Sequence, residues 1–535
     1  MSRKSRVRAL VITEEPRHPD LTPVPRPLIM ITAFVSGMAV MVLELMGSRV
    51  IGPFYGVSLY VWASLIATAL VALSLGYWLG GRLADRKASG AYLYGGILLA
   101  AAFICLVPVL RRPVLQLTAP MGVRLGSLAS SILLFLPPIA CLGIVAPYTV
   151  KLHSQSLESL GGSAGSLYAI STVGSVVGTL LTGFFLIPSL PMDAIILGLG
   201  VALALMSLTF WILRHRGRGI AASLVVIAMA MGILAGGGSS FAQLQRMGIR
   251  ILLAKETPYG QLKVMDSGGV RYMLVNGSFQ GEANLDTGRS TAPYIHLLAA
   301  ACREYAPDAT RALCIGLGAG SLPNLIQRPG MAVDAVEIDR TVVDAATRFF
   351  GYIPAQGTTF VEDGRRYVAT ADTEYDAILL DAFASEAIPE HLLTAEAFAE
   401  YARLLGPRGI LGINLVGFTE GPHRRVPLAV VRTMGSVFAH VQIWFIPQES
   451  SRAFGSIIII ASASPLPGID LAESTRQTLR NQASTASVGR FDWEGAPEGI
   501  LLTDQHNPVA AWNAPVDLAI RQQVLQYMPW PVLMG

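Results

Sequence analysis

The stretch Arg311–Asp339, RALCIGLGAGSLPNLIQRPGMAVDAVEID, decides the fold. A short apolar strand (Ala312, Leu313, Cys314, Ile315) breaks into Gly316, Gly318 and Gly320, and the chain then reads as a helix, a second strand and Glu337. Glycines at a strand-to-helix turn let backbone N–H groups come close to a ligand, and an acid about 20 residues on can hold a ribose diol. Taken alone, such a turn is equally a tight connection. Glu337 at the end of the second strand tips the reading toward a nucleoside site, and two further acids follow. Asp363 stands before Gly364 and just after Phe360 and Val361, and Asp381 follows the run Ala377, Ile378, Leu379, Leu380. Three successive strands that each close on a carboxylate predict a row of acids along one edge of a parallel sheet, where open α/β sheets bind ligands.

Outward from this stretch the chain divides in two. Its 535 residues are 52% hydrophobic and 14% charged, with mean hydropathy +0.51, far from the soluble average. Leu28 to Gly238 is almost free of acids and bases. Apolar runs near 28–50, 58–80, 91–110, 128–150, 166–187, 191–213 and 219–238 predict about seven membrane helices, each of roughly the 20 residues a bilayer needs. The basic, Pro-rich lead, 1–27, cannot bury a core and reads as a disordered tail. The first apolar run is an anchor, not a cleaved signal. The net charge of +4 reports topology and gives no nucleic-acid footprint. Cys105, Cys141, Cys302 and Cys314 show no metal-ligand spacing, so neither a metal site nor disulfides are expected.

Within the spans Glu44, Arg49 and Asp193 are the notable ionisable residues, and Glu44 and Arg49 read as a mutual pair or a snorkelling interfacial Arg. The loop Gly81–Lys87 resembles a cytoplasmic loop of major-facilitator transporters. Arg82, Arg86 and Lys87, with Arg214, Arg216 and Arg218 and the basic tail, mark the cytoplasmic side. Seven passes would then leave the C-terminal part outside, away from the cytoplasmic nucleotide pool. The expectation adopted is a multi-pass cell-membrane protein with a cytoplasmic catalytic domain, one apolar run being miscounted or re-entrant.

After Gly236–Ser240 the composition turns soluble. Residues 249–300 read as a small β-strand domain with turns at Gly268 and at Asn276–Gly277. Residues 301–535 alternate strand and helix, with strands at 311–315, 332–336, 358–361, 376–380, 409–415, 441–446 and 456–461, which predicts a Rossmann-like α/β domain.

The order of these motifs resembles the spermidine synthase family of polyamine aminopropyltransferases, in a form fused behind a transmembrane helical bundle. The resemblance covers roughly Leu252 to Leu415. It rests on Glu256, Thr257, Pro258, Tyr259, Gly260 and Gln261; on Val275 to Gln280; on the glycine turn; and on Val336 to Asp339, Asp363–Gly364 and Leu380–Asp381. It implies the fold of class I S-adenosylmethionine methyltransferases and a transferase of polyamine biosynthesis. The co-substrate would be decarboxylated S-adenosylmethionine, with no permanently bound cofactor. The acceptor would be a diamine such as putrescine, and a homodimer is the family's habit. By the same resemblance Gln261, Gly316, Gly318, Glu337, Asp363 and Gly364 hold the donor, Gln280 and Tyr294 bind the acceptor, and Asp381 is the catalytic base. A protonated amine cannot attack, so a carboxylate must orient it and take its proton. The plainer reading of Asp381 is a helix N-cap.

The sequence departs from the family at Ala319, where an acid usually repels a ligand carboxylate, at Ala384, where a second acid follows the catalytic one, and at Asn276, where Asp is usual. His296 replaces a polar partner of Tyr294 and reads as a packing residue. Ala319 and Ala384 keep a second chemistry open, methyl or related alkyl transfer from intact S-adenosylmethionine to an amine. A third reading is a transporter or sensor whose domain binds a nucleoside without turnover, which would need acids or aromatic rings along a path through the spans.

Overall fold

The computed structural model describes residues 24–56, 59–153, 160–236, 244–354, 356–382, 389–448, 451–471, 473, 475, 489–492, 499–529 and 532. Ala384 and nearly all of the 1–27 tail lie outside them.

Six runs of apolar helix are long enough to cross a membrane. They comprise α1 (Arg26–Tyr55), α2 (Leu59–Arg86), α3 (Gly90–Thr118), α4 (Gly122–Gly143) with its continuation α5 (Val145–His153), α6 (Leu160–Leu181) running on to α7 (Ile187–Ser189), α8 (Met192–Leu213) and α9 (Gly217–Gly236). The third run spans 64 residues, too long for one crossing. It folds back at Ala119–Met121, where Gly122 takes φ +73°, so that α3 and α4 lie side by side. Glycine sets the closest helix contacts. A methyl group at Gly174 would sit 2.1 Å from the Phe34 carbonyl oxygen of α1, so only glycine lets α6 approach this far.

Beyond the helices β1 (Arg250–Thr257), β2 (Gly260–Ser267), β3 (Val270–Val275) and β4 (Ser278–Asn284) form an antiparallel meander. The eight-stranded sheet follows, with β5 (Arg311–Ile315), β6 (Ala332–Glu337), β7 (Thr359–Val361), β8 (Tyr375–Leu380), β9 (Leu405–Phe418), β10 (His440–Gln448), β11 (Ser451–Ser462) and β12 (Gly489–Phe491). Its order is β12-β10-β11-β9-β8-β5-β6-β7. Strands β5 to β9 run parallel and β11 pairs antiparallel with β9. The chain moves outward from β5 in one direction through β6 and β7, then in the other through β8 and β9. That reversal opens a crevice at the carboxyl ends of the central strands. Both faces of the sheet are covered by apolar clusters, one around Phe398, Tyr401 and Leu411, the other around Leu298, Leu379 and Ile460.

A polar seam joins the helices to this part. Arg49 does not pair with Glu44. It donates to the carbonyls of Thr257 (3.0 Å) and Pro258 (3.1 Å) and faces Glu256 at 3.6 Å. Arg111 pairs with Asp193 at 3.0 Å. From the helix Ala514–Tyr527, Arg521 donates to the carbonyls of Pro53 (2.9 Å), Asn276 (3.0 Å) and Gly52 (3.3 Å), two of them at the end of α1. Lys263 donates to the Val532 carbonyl at 2.6 Å, and burial, with Arg111 nearby, lowers its pKa to about 7. The seam thus uses the carboxyl end of α1, the end of α3 and the start of α8. The basic connections at Arg86–Lys87 and Arg214–Arg218 lie at the other end of the bundle.

Candidate active site

The acids predicted from the sequence come together around a cleft of about 300 Å³ at the carboxyl ends of β5, β6, β7 and β8. The glycine turn forms its floor. Gly316 and Gly318 take φ +88° and +50°, and a Cβ at either would lie 2.4 Å from a carbonyl oxygen, that of Asp381 or that of Gln280. The turn is therefore wedged between the segment after β8 and strand β4, which no side chain larger than glycine would permit.

Glu337, the last residue of β6, accepts hydrogen bonds from the Leu317 amide (3.1 Å) and the Asp339 amide (3.0 Å). Burial raises its pKa, and these backbone donors pull the other way. Asp363 caps the helix Gly364–Thr370 through the Arg366 amide at 3.0 Å, and its other oxygen meets Nε2 of His391 at 3.1 Å. Burial opposes its charge, but the Arg366 amide and the His391 ring prevail and hold the carboxyl below its ordinary value. Gly364 sits where a Cβ would meet the Ile315 side chain at 2.6 Å.

Asp381 opens onto the cleft but is walled by protein, and this burial pushes its pKa up to about 6. Asn414 of β9 donates its amide to Oδ1 at 3.1 Å, and the Tyr294 hydroxyl bonds to the same carboxylate. The phenol of Tyr294 is pushed up by burial and by the charges of Asp381 and Glu282. Asn414 and Tyr294 thus fix the acid and leave it ionisable near neutral pH, the condition for a general base.

Gln280 lines the cleft, as do Tyr259, Ser278 and Asn276. Gln261 does not. Its amide donates to Glu256 at 2.7 Å and faces a small cavity at the seam that it shares with Arg49 and Arg111. Tyr294 stands behind Asp381 and not on the cleft wall. Ala319 is buried against Gly281 of β4 and does not face the cleft. His296 bonds to the Ser290 carbonyl at 2.9 Å and packs in the core. Asn414 and His391 escaped the sequence reading. Asn414 left a trace, being the one amide in the apolar run Ile410–Val416; His391 left none.

The cleft's electrostatics are one-sided. Glu337, Asp339, Glu362, Asp363 and Asp381 line it, and among the described residues no Lys or Arg does. Glu362 has a counter-charge at its edge, Arg366 at 3.8 Å, but a wall of five carboxylates with no Lys or Arg on it still makes a site for cations.

No family model matches the chain. Its sequence is 32% identical over 233 residues to a polyamine aminopropyltransferase of Vibrio vulnificus, covering 40% of this chain and 74% of that protein. It is 29% identical over 189 residues to a probable polyamine aminopropyl transferase of Bifidobacterium longum, covering 35% of this chain and 42% of that protein. The crystal structure of a probable spermidine synthase from Corynebacterium glutamicum superposes with a TM-score of 0.43 and 19% identity, over 48% of this chain and 97% of that one. With about a third of its aligned residues shared over three quarters of the Vibrio protein, the chain belongs to the polyamine aminopropyltransferase family.

Proposed function

We propose that the chain is a multi-pass membrane aminopropyltransferase that moves the aminopropyl group of decarboxylated S-adenosylmethionine to a small amine acceptor such as putrescine. The observation that carries this reading is the cleft wall of five carboxylates without Lys or Arg among its described residues. Decarboxylated S-adenosylmethionine is a sulfonium with a free ammonium and no carboxylate, and the acceptor is a cation as well. Intact S-adenosylmethionine would bring a carboxylate into this wall of like charge, a repulsion that discriminates between the donors.

The chemistry follows from the placement of Asp381. An alkylamine has a pKa near 10, so almost all of it is protonated at pH 7. Asp381, held by Asn414 and Tyr294, takes a proton from the acceptor ammonium. The freed nitrogen lone pair attacks the donor methylene next to sulfur, the C–S bond breaks, and its electrons return to sulfur, which leaves as a neutral thioether. The sulfonium is already activated, so the protein's remaining task is alignment. In this reading Glu337, beside the glycine turn, would hold the ribose hydroxyls, and Asp363 at the next strand end the base.

Methyl transfer is the second reading, raised by the sequence departure at Ala319, although that residue does not face the cleft. Purified protein incubated with each sulfonium donor and a panel of amines, followed by mass spectrometry, separates the two. Products heavier by an aminopropyl group are expected, and methylated products would overturn the proposal. A cytoplasmic cleft suits a donor made in the cytoplasm, whereas the basic connections lie at the opposite end of the bundle, which favours an external cleft. Reporter fusions at Ser2 and Gly535 decide between them.

A further inference from the structure

A second cavity, of about 270 Å³, lies within the apolar helices between α1, α2, α4, α5 and α6, and the carboxylate-bearing Glu44 lines it. The helices on either side are in close contact. A methyl group at Gly37 of α1 would come within 2.1 Å of the Ser171 carbonyl oxygen, and one at Gly76 of α2 within 2.4 Å of the Ala140 carbonyl. The opening is therefore local, set between two glycine contacts. Among the described residues no hydrogen bond or ion pair reaches the Glu44 carboxylate, and Arg49 is engaged at the seam. A carboxylate in an apolar bundle is costly unless a cation meets it.

The rest of the wall suits a particular kind of cation. Tyr77 and Tyr168 line the cavity, and Ser171 and Thr149 add hydroxyls. Helix α4 gives way to α5 at Ile144, beside the cavity. Pro147 has no N–H to offer the Gly143 carbonyl four residues earlier, and Gly143 lines the cavity. A proline within a helix removes one donor from the backbone ladder, and a carbonyl that loses its donor favours positive charge. The volume far exceeds the roughly 30 Å³ of one water, too much for a bare ion held by a single carboxylate.

We propose that this cavity binds a small alkylamine, its ammonium on Glu44 and the Gly143 carbonyl and its methylene chain against the rings of Tyr77 and Tyr168. The amine class follows from the cavity itself. That the amine is also the acceptor or product of the cleft rests on the aminopropyl-transfer reading.

The test uses the full-length protein in lipid nanodiscs with radiolabelled putrescine as the probe. Wild type should bind two equivalents per chain. Glu44→Gln should lose one of them or bind it about tenfold more weakly or worse, as removal of a charge-assisted contact implies. It should keep wild-type kcat, because Glu44 is remote from the cleft, and that kcat also shows the variant is folded. Should Glu44→Gln fail to fold, Tyr77→Ala with Tyr168→Ala provides the same comparison. A wild type with no equivalent that depends on Glu44, as when lipid chains fill the cavity, overturns the proposal, and binding is then unchanged in a folded variant of either kind. The two readings fail separately. Loss of aminopropyl transfer with the Glu44-dependent equivalent intact would sink the cleft's proposed function, while turnover with no Glu44-dependent equivalent would sink only this inference.

Discussion

The cleft and the seam hold similar numbers of charged side chains in similarly sheltered surroundings, yet they treat them in opposite ways. At the seam each named charge has a protein partner: Arg49 meets Glu256 and two carbonyls, Arg111 meets Asp193, and Arg521 meets three carbonyls. In the cleft Glu337, Asp363 and Asp381 accept bonds from amides, a ring nitrogen and a phenol, and no Arg or Lys answers them. Charges that are neutralised within the fold hold it together. Charges that are merely held in place are left for a ligand, and the sign of what they lack gives the sign of that ligand.

If that contrast is right, Asp381→Asn should have the largest effect of any single change on turnover. Removing a general base lowers rate about 100- to 10,000-fold, while donor affinity measured by calorimetry stays near wild type. Because burial raises the Asp381 pKa to about 6, the acid is protonated and idle below that value. Turnover in the wild type should accordingly fall as pH drops through about 6, and the Asn variant should lack this limb. A variant with wild-type turnover would reduce Asp381 to a structural residue.

Arg521→Met attacks the other side of the contrast. It leaves the Gly52, Pro53 and Asn276 carbonyls without that donor, at a cost of about 1 to 3 kcal/mol for each acceptor left unmet. A clear drop in Tm in detergent is expected, with the donor affinity of the surviving folded protein little changed. A chain begun at Ile249 strips the partners of Glu256 and Arg521 together and should aggregate. If that fragment is monodisperse and binds donor, the seam is dispensable and the contrast is wrong.

Glu337→Gln should weaken donor binding by about 1 to 2 kcal/mol, as a charge-assisted bond to the ribose becomes a neutral one. Unchanged calorimetric affinity would remove Glu337 from the site. His391→Ala should matter least, since its contact with Asp363 is partly exposed to water, and a loss of donor affinity below about 1 kcal/mol is expected. A larger loss would mean that His391 touches the ligand.

What was legible beforehand was local. The glycine turn, Glu337, Asp363 and Asp381 lie at strand ends marked by short apolar runs, so their convergence on one edge followed from the parallel sheet. Asn414 and His391 reach the site only through the pairing of β8 with β9 and the placement of the residues after β8, which no local pattern records. Gln261 went astray for a similar reason. The motif that carries it also carries Glu256, and the nearby helix end draws both toward Arg49. The Glu44–Arg49 pairing failed likewise, because Arg49 found partners in a strand 208 positions away.

The Arg521 contact bears on how the protein is made. Its guanidinium caps carbonyls at the end of the first helix, 468 positions earlier in the chain. During synthesis from the amino terminus, the Gly52 and Pro53 carbonyls must wait for nearly the whole polypeptide before this donor arrives. Closure so late is slow, because long-range contacts form only after the loop between them has been drawn together. Completion of the chain thus becomes a checkpoint: products truncated after the helices but before Arg521 keep an unfinished helix end, and these are the species a membrane quality-control protease should clear first.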